Sequence, residues 1–214
     1  MRFPLRPLLN GAILCGLGLA LWPLGQTAYG VWNQRSLAAQ FAASPQKAQR
    51  QSVPTARQRA RAARNASPTL AVSAPLAPRA RRAPWPLTKL SIPDIGLETF
   101  IVQGMDAAAL RRGPGHDRNS SSPGEGNCVV AGHRNVYGSF FYRLDELLPG
   151  APITLENRDG KWNYIVDATF TTPDSNLTIL QPPPVGAAPI LTLITCTMPH
   201  TSNRIVLQAR LSSQ

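Results

Sequence analysis

The second half of the chain consists largely of short runs of β-branched, aromatic and other apolar residues, and this pattern restricts the possible folds more than any other feature. Gly, Pro, Asn and Ser separate the runs and favour turns. Seven strand-like runs within about 125 residues predict a β-barrel or a β-sandwich. Two short helical stretches interrupt them, near residues 106–111 and 140–147. In chain order the runs are LTKLSIP, ETFIVQG, NCVVAGH, APITLEN, KWNYIVDATFTT, ILTLITC and NRIVLQARL.

Charge is distributed unevenly along the chain. Residues 1–84 contain 12 Lys and Arg and no Asp or Glu, whereas residues 85–214 contain 10 Lys and Arg against 11 Asp and Glu. An ordinary soluble surface mixes both signs, so the first 84 residues do not form a typical globular domain. We therefore assign the folded domain to residues 85–214, which are long enough to bury a single core.

An uncharged segment at about residues 8–31 is long enough to cross a bilayer as a helix, which requires about 20 residues. Arg2 and Arg6 precede this segment, and no convincing small-x-small cleavage site follows it. We predict that residues 1–33 form a signal anchor with a transmembrane helix, and a cleaved signal peptide is the alternative. Basic residues flank both ends, so the positive-inside rule leaves the orientation open.

Residues 34–84 are dominated by Ala, Arg, Gln, Pro and Ser and contain few residues that could form a core. Such a segment cannot offset its ordering entropy, and we predict a disordered basic linker that adds nothing to the fold. Its first part, residues 34–51, could continue the preceding helix as far as Pro45. The arginines could hold the linker against anionic lipids or wall polymers, or they could have no partner.

The three cysteines, at positions 15, 128 and 196, are too far apart in sequence for a zinc knuckle or a redox pair. In NCVVAGH the two-residue period of a strand places Cys128 and His133 on opposite faces. Cys128 is therefore predicted to be a small core residue, which is the usual role of a free cysteine.

Three reactive residues stand where apolar runs end or begin. Cys196 ends ILTLITC, His133 ends NCVVAGH, and Arg204 starts the strand after the Cys196 loop. A thiolate stabilised by nearby positive charge is an effective nucleophile, and Arg suits the oxyanion of acyl transfer. On placement alone, a structural role is the more common one for a lone Cys at a strand end.

Three segments resemble the sortase family. TLITC at 192–196, followed by RIVLQARL, is similar to the signature in which Thr-Leu-x-Thr-Cys precedes an Arg-led strand. NCVVAGHRNVYGSFFYRLDELLPG at 127–150 resembles the segment with the catalytic His and the helix after it, and GPGH at 113–116, followed by SPGEGN, resembles the approach to that strand. The resemblance covers roughly residues 85–211 and is greatest to class E, with class D as the nearby alternative.

This resemblance implies an all-β fold, a closed eight-stranded sortase-type barrel, so one strand lies outside the seven runs. It also implies a cysteine transpeptidase that cleaves a sorting signal, such as Leu-Pro-x-Thr-Gly or Leu-Ala-x-Thr-Gly, between Thr and Gly. The family roles make Cys196 the nucleophile, His133 the general acid and base, and Arg204 the residue that holds the substrate and stabilises the oxyanion. No cofactor or metal is expected.

Further site residues are predicted near this triad. Thr195, beside the nucleophile, could donate a hydrogen bond or simply favour the strand, and Tyr137 could line the substrate groove or pack. His116, in a Gly-Pro-rich loop, could shape the site. His116 and His200 compete with His133 for the role of base, and we favour His133.

The expected partners are surface proteins with a sorting signal, an amine acceptor from a wall precursor or a pilus subunit, and the cell membrane. The barrel would lie outside the cytoplasm on a single-pass anchor. One rival interpretation is a non-catalytic membrane-tethered β-domain that binds wall polymer. A nucleic-acid-binding domain is disfavoured because the linker has no interleaved aromatic residues, and a Cys protease that hydrolyses its acyl enzyme stays open.

Overall fold

The computed structural model of the chain describes residues 5–44, 85–199 and 201–212. The greater part of the predicted linker, residues 45–84, lies outside the described residues, and so does His200.

The amino-terminal segment is a 39-residue helix, α1 (Leu5–Ala43), with Pro23 inside it. It extends well into the segment that we assigned to the linker. No helix among the described residues is long and apolar enough to cross a membrane. This finding runs against the transmembrane helix predicted at about residues 8–31. From residue 15 onward, glycines, Pro23, Gln26 and Thr27 stand among the apolar residues of α1 and lower its mean hydropathy.

The carboxy-terminal domain is a closed eight-stranded barrel, as predicted. Its strands follow the order β1-β2-β3-β4-β7-β8-β6-β5, and β5 pairs with β1 to close the sheet. The pairs β2–β3 and β4–β7 are parallel, and all others are antiparallel. The strands are β1 (Thr88–Ile92), β2 (Leu97–Gln103), β3 (Gly115–His116), β4 (Asn127–Ala131), β5 (Pro152–Asn157), β6 (Gly160–Pro173), β7 (Ile190–Cys196) and β8 (Asn203–Leu211).

Short helices occur at both predicted places. Helix α2 (Ala107–Leu110) is capped by Asp106, whose carboxylate accepts a 3.0 Å hydrogen bond from the Ala109 amide. The second stretch is a 3-10 turn at Leu144–Glu146. The barrel has further 3-10 turns at Pro93–Ile95 and Leu177–Leu180.

The barrel interior is filled by apolar side chains from every strand except the short β3. Cys128 is among them and is fully buried, which confirms its predicted core position. Burial raises the pKa of the Cys128 thiol to about 12, so this cysteine stays protonated and unreactive at neutral pH.

The second half of α1 packs against the outside of β2. The Gln34 amide nitrogen donates to the carbonyl oxygens of Phe100 and Arg112, each at 3.1 Å, and its oxygen accepts from the Phe100 amide at 2.6 Å. Leu37 is buried, and the rings of Phe41 and Phe100 lie 5.3 Å apart. The expectation that residues 34–84 add nothing to the fold is therefore wrong for their first turns. One face of the helix there contributes a small second core.

Candidate active site

Strands β4 and β7 bring two of the predicted residues to one edge of the barrel. They run parallel, with Ala131 opposite Ile194, and the Gly132 amide continues the ladder by donating to the Ile194 carbonyl at 3.0 Å. Parallel strands end at the same edge of a sheet. His133 and Cys196 each lie two residues beyond the pair Ala131–Ile194, so they occupy neighbouring strand ends.

Cys196 and Arg204 occupy directly opposed positions on the antiparallel pair β7–β8. Opposed residues project to the same face, with Cβ atoms about 5 Å apart. Leu193 and Leu207 point into the core, and Cys196 and Arg204 each lie three positions away from one of them. An odd separation places a strand residue on the opposite face. Both side chains therefore lie on the outer face of the barrel wall, where a substrate has access.

The Arg204 guanidinium is held by its own loop and by the end of β6. One terminal nitrogen donates to the carbonyl oxygens of Thr201 and Asn203 at 3.2 and 2.9 Å, and the other donates to Asp174 at 3.3 Å. The ion pair with Asp174 is partly exposed and contributes little to stability. Its effect is to orient a cation beside the Cys196 position.

Thr195 links the two strand ends. Its side chain is buried, and its hydroxyl donates to the Gly132 carbonyl at 2.8 Å. The residue before Cys196 is thus tied to the residue before His133. Thr195 faces the barrel interior and fixes the relative position of the two reactive residues.

His133 is partly buried, and its surroundings favour the neutral imidazole. Burial lowers its pKa below the usual value, and the positive charge of Arg111 lowers it further. The Tyr137 ring lies 5.3 Å from the His133 ring, and the Arg111 guanidinium carbon lies 5.7 Å from the centroid of Tyr137. That distance falls within the range of a cation–π interaction. Tyr137 therefore contacts both His133 and Arg111.

The loop after His133 has a tightly constrained backbone. Tyr137 and Ser139 both have φ of 50°, and Gly138 between them has φ of 94°. Non-glycine residues rarely adopt this left-handed region. The Phe141 amide donates back to the His133 carbonyl at 3.2 Å and closes the loop. This closure keeps Tyr137 next to the imidazole.

The third predicted contact residue, His116, lies elsewhere, on β3. Its ring is buried and stacks on Trp85 at a centroid distance of 3.6 Å. Its Nε2 atom lies 3.0 Å from the Ser120 hydroxyl and 3.1 Å from the Ser121 carbonyl. These contacts are those of a packing residue that fixes the loop between β3 and β4.

Nothing in the described parts of the chain offers a cluster of three His, Cys, Asp or Glu side chains for a metal ion. The chemistry available at the edge of β4, β7 and β8 is that of a half-buried thiol, a neutral imidazole and an oriented guanidinium.

A family model for the sortase domain matches residues 90–212, more than half of the chain. The chain belongs to the sortase family. Curated relatives include sortase SrtE1 of Streptomyces coelicolor, 37% identical over 83 residues, and sortase D of Bacillus subtilis, 38% identical over 81 residues. These matches cover 36% and 37% of this chain but only 24% and 39% of the relatives' own lengths.

Solved sortases share the barrel. The structure of sortase E from Streptomyces avermitilis is 30% identical with a TM-score of 0.53, and it matches 60% of this chain and 88% of its own. A sortase D5 transpeptidase from Clostridium perfringens is 28% identical with a TM-score of 0.55, and it matches 60% of this chain and 79% of its own. This sortase is thus similar to both class E and class D relatives, as the sequence motifs predicted.

Sequence reasoning overlooked several residues around the site of this sortase. Arg111 stands at the end of a predicted helical stretch, and Asp174 lies just after a predicted strand. Neither has a recognisable motif, because each reaches the site through loop geometry. The α1 contacts did leave a signal, since Gln34, Leu37 and Phe41 recur at helical spacing in QRSLAAQF.

Proposed function

We propose that this sortase is a cysteine transpeptidase that joins a peptide acyl group to an amine through a thioacyl intermediate on Cys196. The observation that supports the proposal best is the direct pairing of Cys196 with Arg204 beside the strand end that carries His133. Burial leaves Cys128 protonated, so within the barrel Cys196 is the thiol available for attack.

The first half of the reaction forms the thioester. The Cys196 thiolate attacks the carbonyl carbon of the scissile bond, and the Arg204 guanidinium stabilises the negative charge on the carbonyl oxygen. His133, as the imidazolium, donates its proton to the leaving amine, and the C–N bond breaks. The lowered pKa of His133 disfavours the imidazolium, and with it the thiolate–imidazolium pair, in the resting enzyme.

In the second half an amine attacks the thioester. Neutral His133 accepts a proton from that amine, an amide bond forms, and the Cys196 thiolate is released. Water could replace the amine and would yield a carboxylic acid. Partial desolvation of the site, which is also the first cause of the lowered His133 pKa, favours the amine route.

For the substrate we propose a sorting signal of the Leu-Ala-x-Thr-Gly or Leu-Pro-x-Thr-Gly type, cleaved between Thr and Gly. The similarity to class E and class D relatives supports this choice. Tyr137 is the predicted contact residue placed best to touch the peptide, because it is partly exposed beside His133. Thr195 is buried and would act by shaping the site, whereas His116 is buried on β3 and would act only through the loop that it fixes.

The partners we propose are surface proteins with such a signal and an amine on a wall precursor or pilus subunit. Both lie outside the cytoplasm, so we place the barrel there, at the cell surface. A periplasm- or surface-specific reporter fused after Gln214 should be active. Activity of a cytoplasm-specific reporter at the same position would contradict this location.

The deciding experiment incubates the purified chain with each peptide, with and without a glycine amine, and follows the products by mass spectrometry. We expect an acyl adduct on Cys196 and an amide product that depends on the amine. Cys196→Ala should abolish both, whereas Cys128→Ala should retain them. Full turnover by Cys196→Ala, or an adduct on Cys128, would overturn the proposal.

A further inference from the structure

Helix α1 touches the loop that follows His133 at one glycine. A Cβ atom placed on Gly30 would lie 2.5 Å from the Tyr137 carbonyl oxygen and 2.6 Å from the Tyr137 carbonyl carbon. Real Cβ atoms do not approach backbone this closely, and a backbone cannot swing away as a flexible side chain can. The helix therefore fits against the Tyr137–Gly138 peptide only because residue 30 has no side chain.

The loop at this contact is the one with successive positive φ angles at Tyr137, Gly138 and Ser139. Backbone in this region persists only where its surroundings hold it. Amino-terminal to Gly30, the helix borders a groove of about 600 Å³, lined in part by Trp22, Arg111 and Tyr137. Gly30 is thus the point at which α1 rests directly on the loop backbone.

A second contact locks the helix in this position. One turn further along α1, Gln34 uses both ends of its amide to bind the Phe100 backbone, and it also binds the Arg112 carbonyl and the Thr99 hydroxyl. A Cβ atom on Gly113 would collide with the Gln34 amide, so this glycine admits the side chain. Arg112 directly follows Arg111 in the chain. The face of α1 that carries Gly30 and Gln34 therefore contacts both the segment that contains Arg111 and the loop that contains Tyr137 (the Tyr137 loop).

We propose that α1 is a positioning element of the active site, in which Gly30 and Gln34 hold the Tyr137 loop and Arg111 in place and thereby set the orientation of His133. Neither residue touches the reacting atoms, so both act through the loop. The inference deepens the proposed function, since it assigns a role in the same reaction to a helix outside the barrel. It requires that the helix and the barrel stay docked during turnover.

The test compares glycine substitutions at two positions of α1 in the full-length chain. Gly30→Ala and Gly30→Val place a side chain against the Tyr137 carbonyl, whereas Gly16→Ala adds the same methyl group where nothing lies within 4 Å. Both alanine changes raise intrinsic helix propensity equally. A difference in activity between Gly30→Ala and Gly16→Ala therefore reports the contact of α1 with the Tyr137 loop. Gln34→Ala releases the helix by an independent route.

We expect kcat to fall by about 10- to 100-fold in Gly30→Val and Gln34→Ala, because a misplacement of about 1 Å can cost that much. KM should change far less, and Gly16→Ala should match the wild type. The second readout is the titration of the His133 imidazole by NMR, which needs no turnover. Its midpoint should move to higher pH in Gly30→Val and Gln34→Ala as the His133 ring becomes less buried and the positive charge of Arg111 moves away, since Arg111 is the charged group that acts on His133 among the described residues.

The two readouts separate this inference from the proposed function. An inactive wild-type chain whose His133 titration still shifts in Gly30→Val would refute the transpeptidase and support the positioning role. An active wild type with unchanged kcat and unchanged His133 titration in both Gly30→Val and Gln34→Ala would overturn the positioning role. If Gly30→Val fails to fold, Gly30→Ala and Gln34→Ala decide the question by the same two measurements.

Discussion

The Thr195 hydroxyl donates a 2.8 Å hydrogen bond to the carbonyl oxygen of Gly132, so the residues that directly precede Cys196 and His133 are joined to each other. This bond crosses the end of the parallel pair β4–β7, just beyond the last paired residues. This bond therefore helps to fix the position of Cys196 relative to His133.

Thr195→Val keeps the shape of the side chain but leaves the buried Gly132 carbonyl without this donor. We expect the free energy of unfolding to fall by about 1–3 kcal/mol, as measured by urea denaturation. We also expect kcat to fall, because the His133 segment loses its tie to β7. Thr195→Ser retains the hydroxyl and is the matched control. Equal loss in both variants would show that packing of the methyl group, and not the hydrogen bond, matters.

Arg204→Lys keeps a positive charge opposite Cys196 but removes the planar guanidinium that reaches three acceptors. We expect kcat/KM for the sorting-signal peptide to fall by about 10²-fold or more, comparable to the loss of an oxyanion donor. The control is Arg210→Lys on the same strand, where the guanidinium is exposed and pairs with Asp167. Similar activity of the two lysine variants would contradict the role of Arg204.

Arg111→Gln removes the second cause of the lowered His133 pKa and leaves the first, burial, in place. In the proposed reaction Cys196 and His133 share one proton, and uptake of a second proton by His133 would end activity. A higher His133 pKa therefore shifts the acid limb of kcat/KM to higher pH. Arg111→Lys retains the charge and should shift it less. An acid limb that does not move in Arg111→Gln would refute this coupling.

Leu37→Ala tests the contribution of α1 to stability. Leu37 is 4% exposed in the small core with Phe100, whereas Leu24 on the same helix is 65% exposed. We expect Leu37→Ala to lower the free energy of unfolding by about 2 kcal/mol, the low end for such truncations, because this core is small. Leu24→Ala should change it by less than about 0.5 kcal/mol. Equal values for the two would mean that the helix does not stay docked in solution.

The strands and their faces could be predicted because a two-residue period is a local property of the sequence. The same period placed Cys128 inside the barrel before any contact was known. Strand β3 could not be found in this way, since two residues are too short to show a period. Strand β3 forms only because β2 and β4 lie far enough apart in the folded barrel for two residues to pair between them.

The surroundings of His133 could not be predicted because they depend on tertiary contacts. The Arg111–Tyr137 interaction requires the positive φ angles of the loop, and no residue pattern in RNVYGSF specifies them. The docked part of α1 was missed for a different reason. Its apolar positions stand beside a long segment rich in Arg and Ala, and composition averaged over that segment hid the three residues that pack.

The brevity of β3 determines where the barrel is easiest to open. Between β2 and β4 the sheet is continued by the two residues of β3, Gly115 and His116, and Pro114 and Asp117 at its ends each add one backbone hydrogen bond. Local opening begins where the fewest backbone hydrogen bonds must break together. The stacking of His116 on Trp85 therefore stabilises the part of the barrel wall in which the strand pairing is shortest. Strand β3 pairs with β4 on the side away from β7. The pairing of β3 can therefore open while the pairing of β4 with β7 persists.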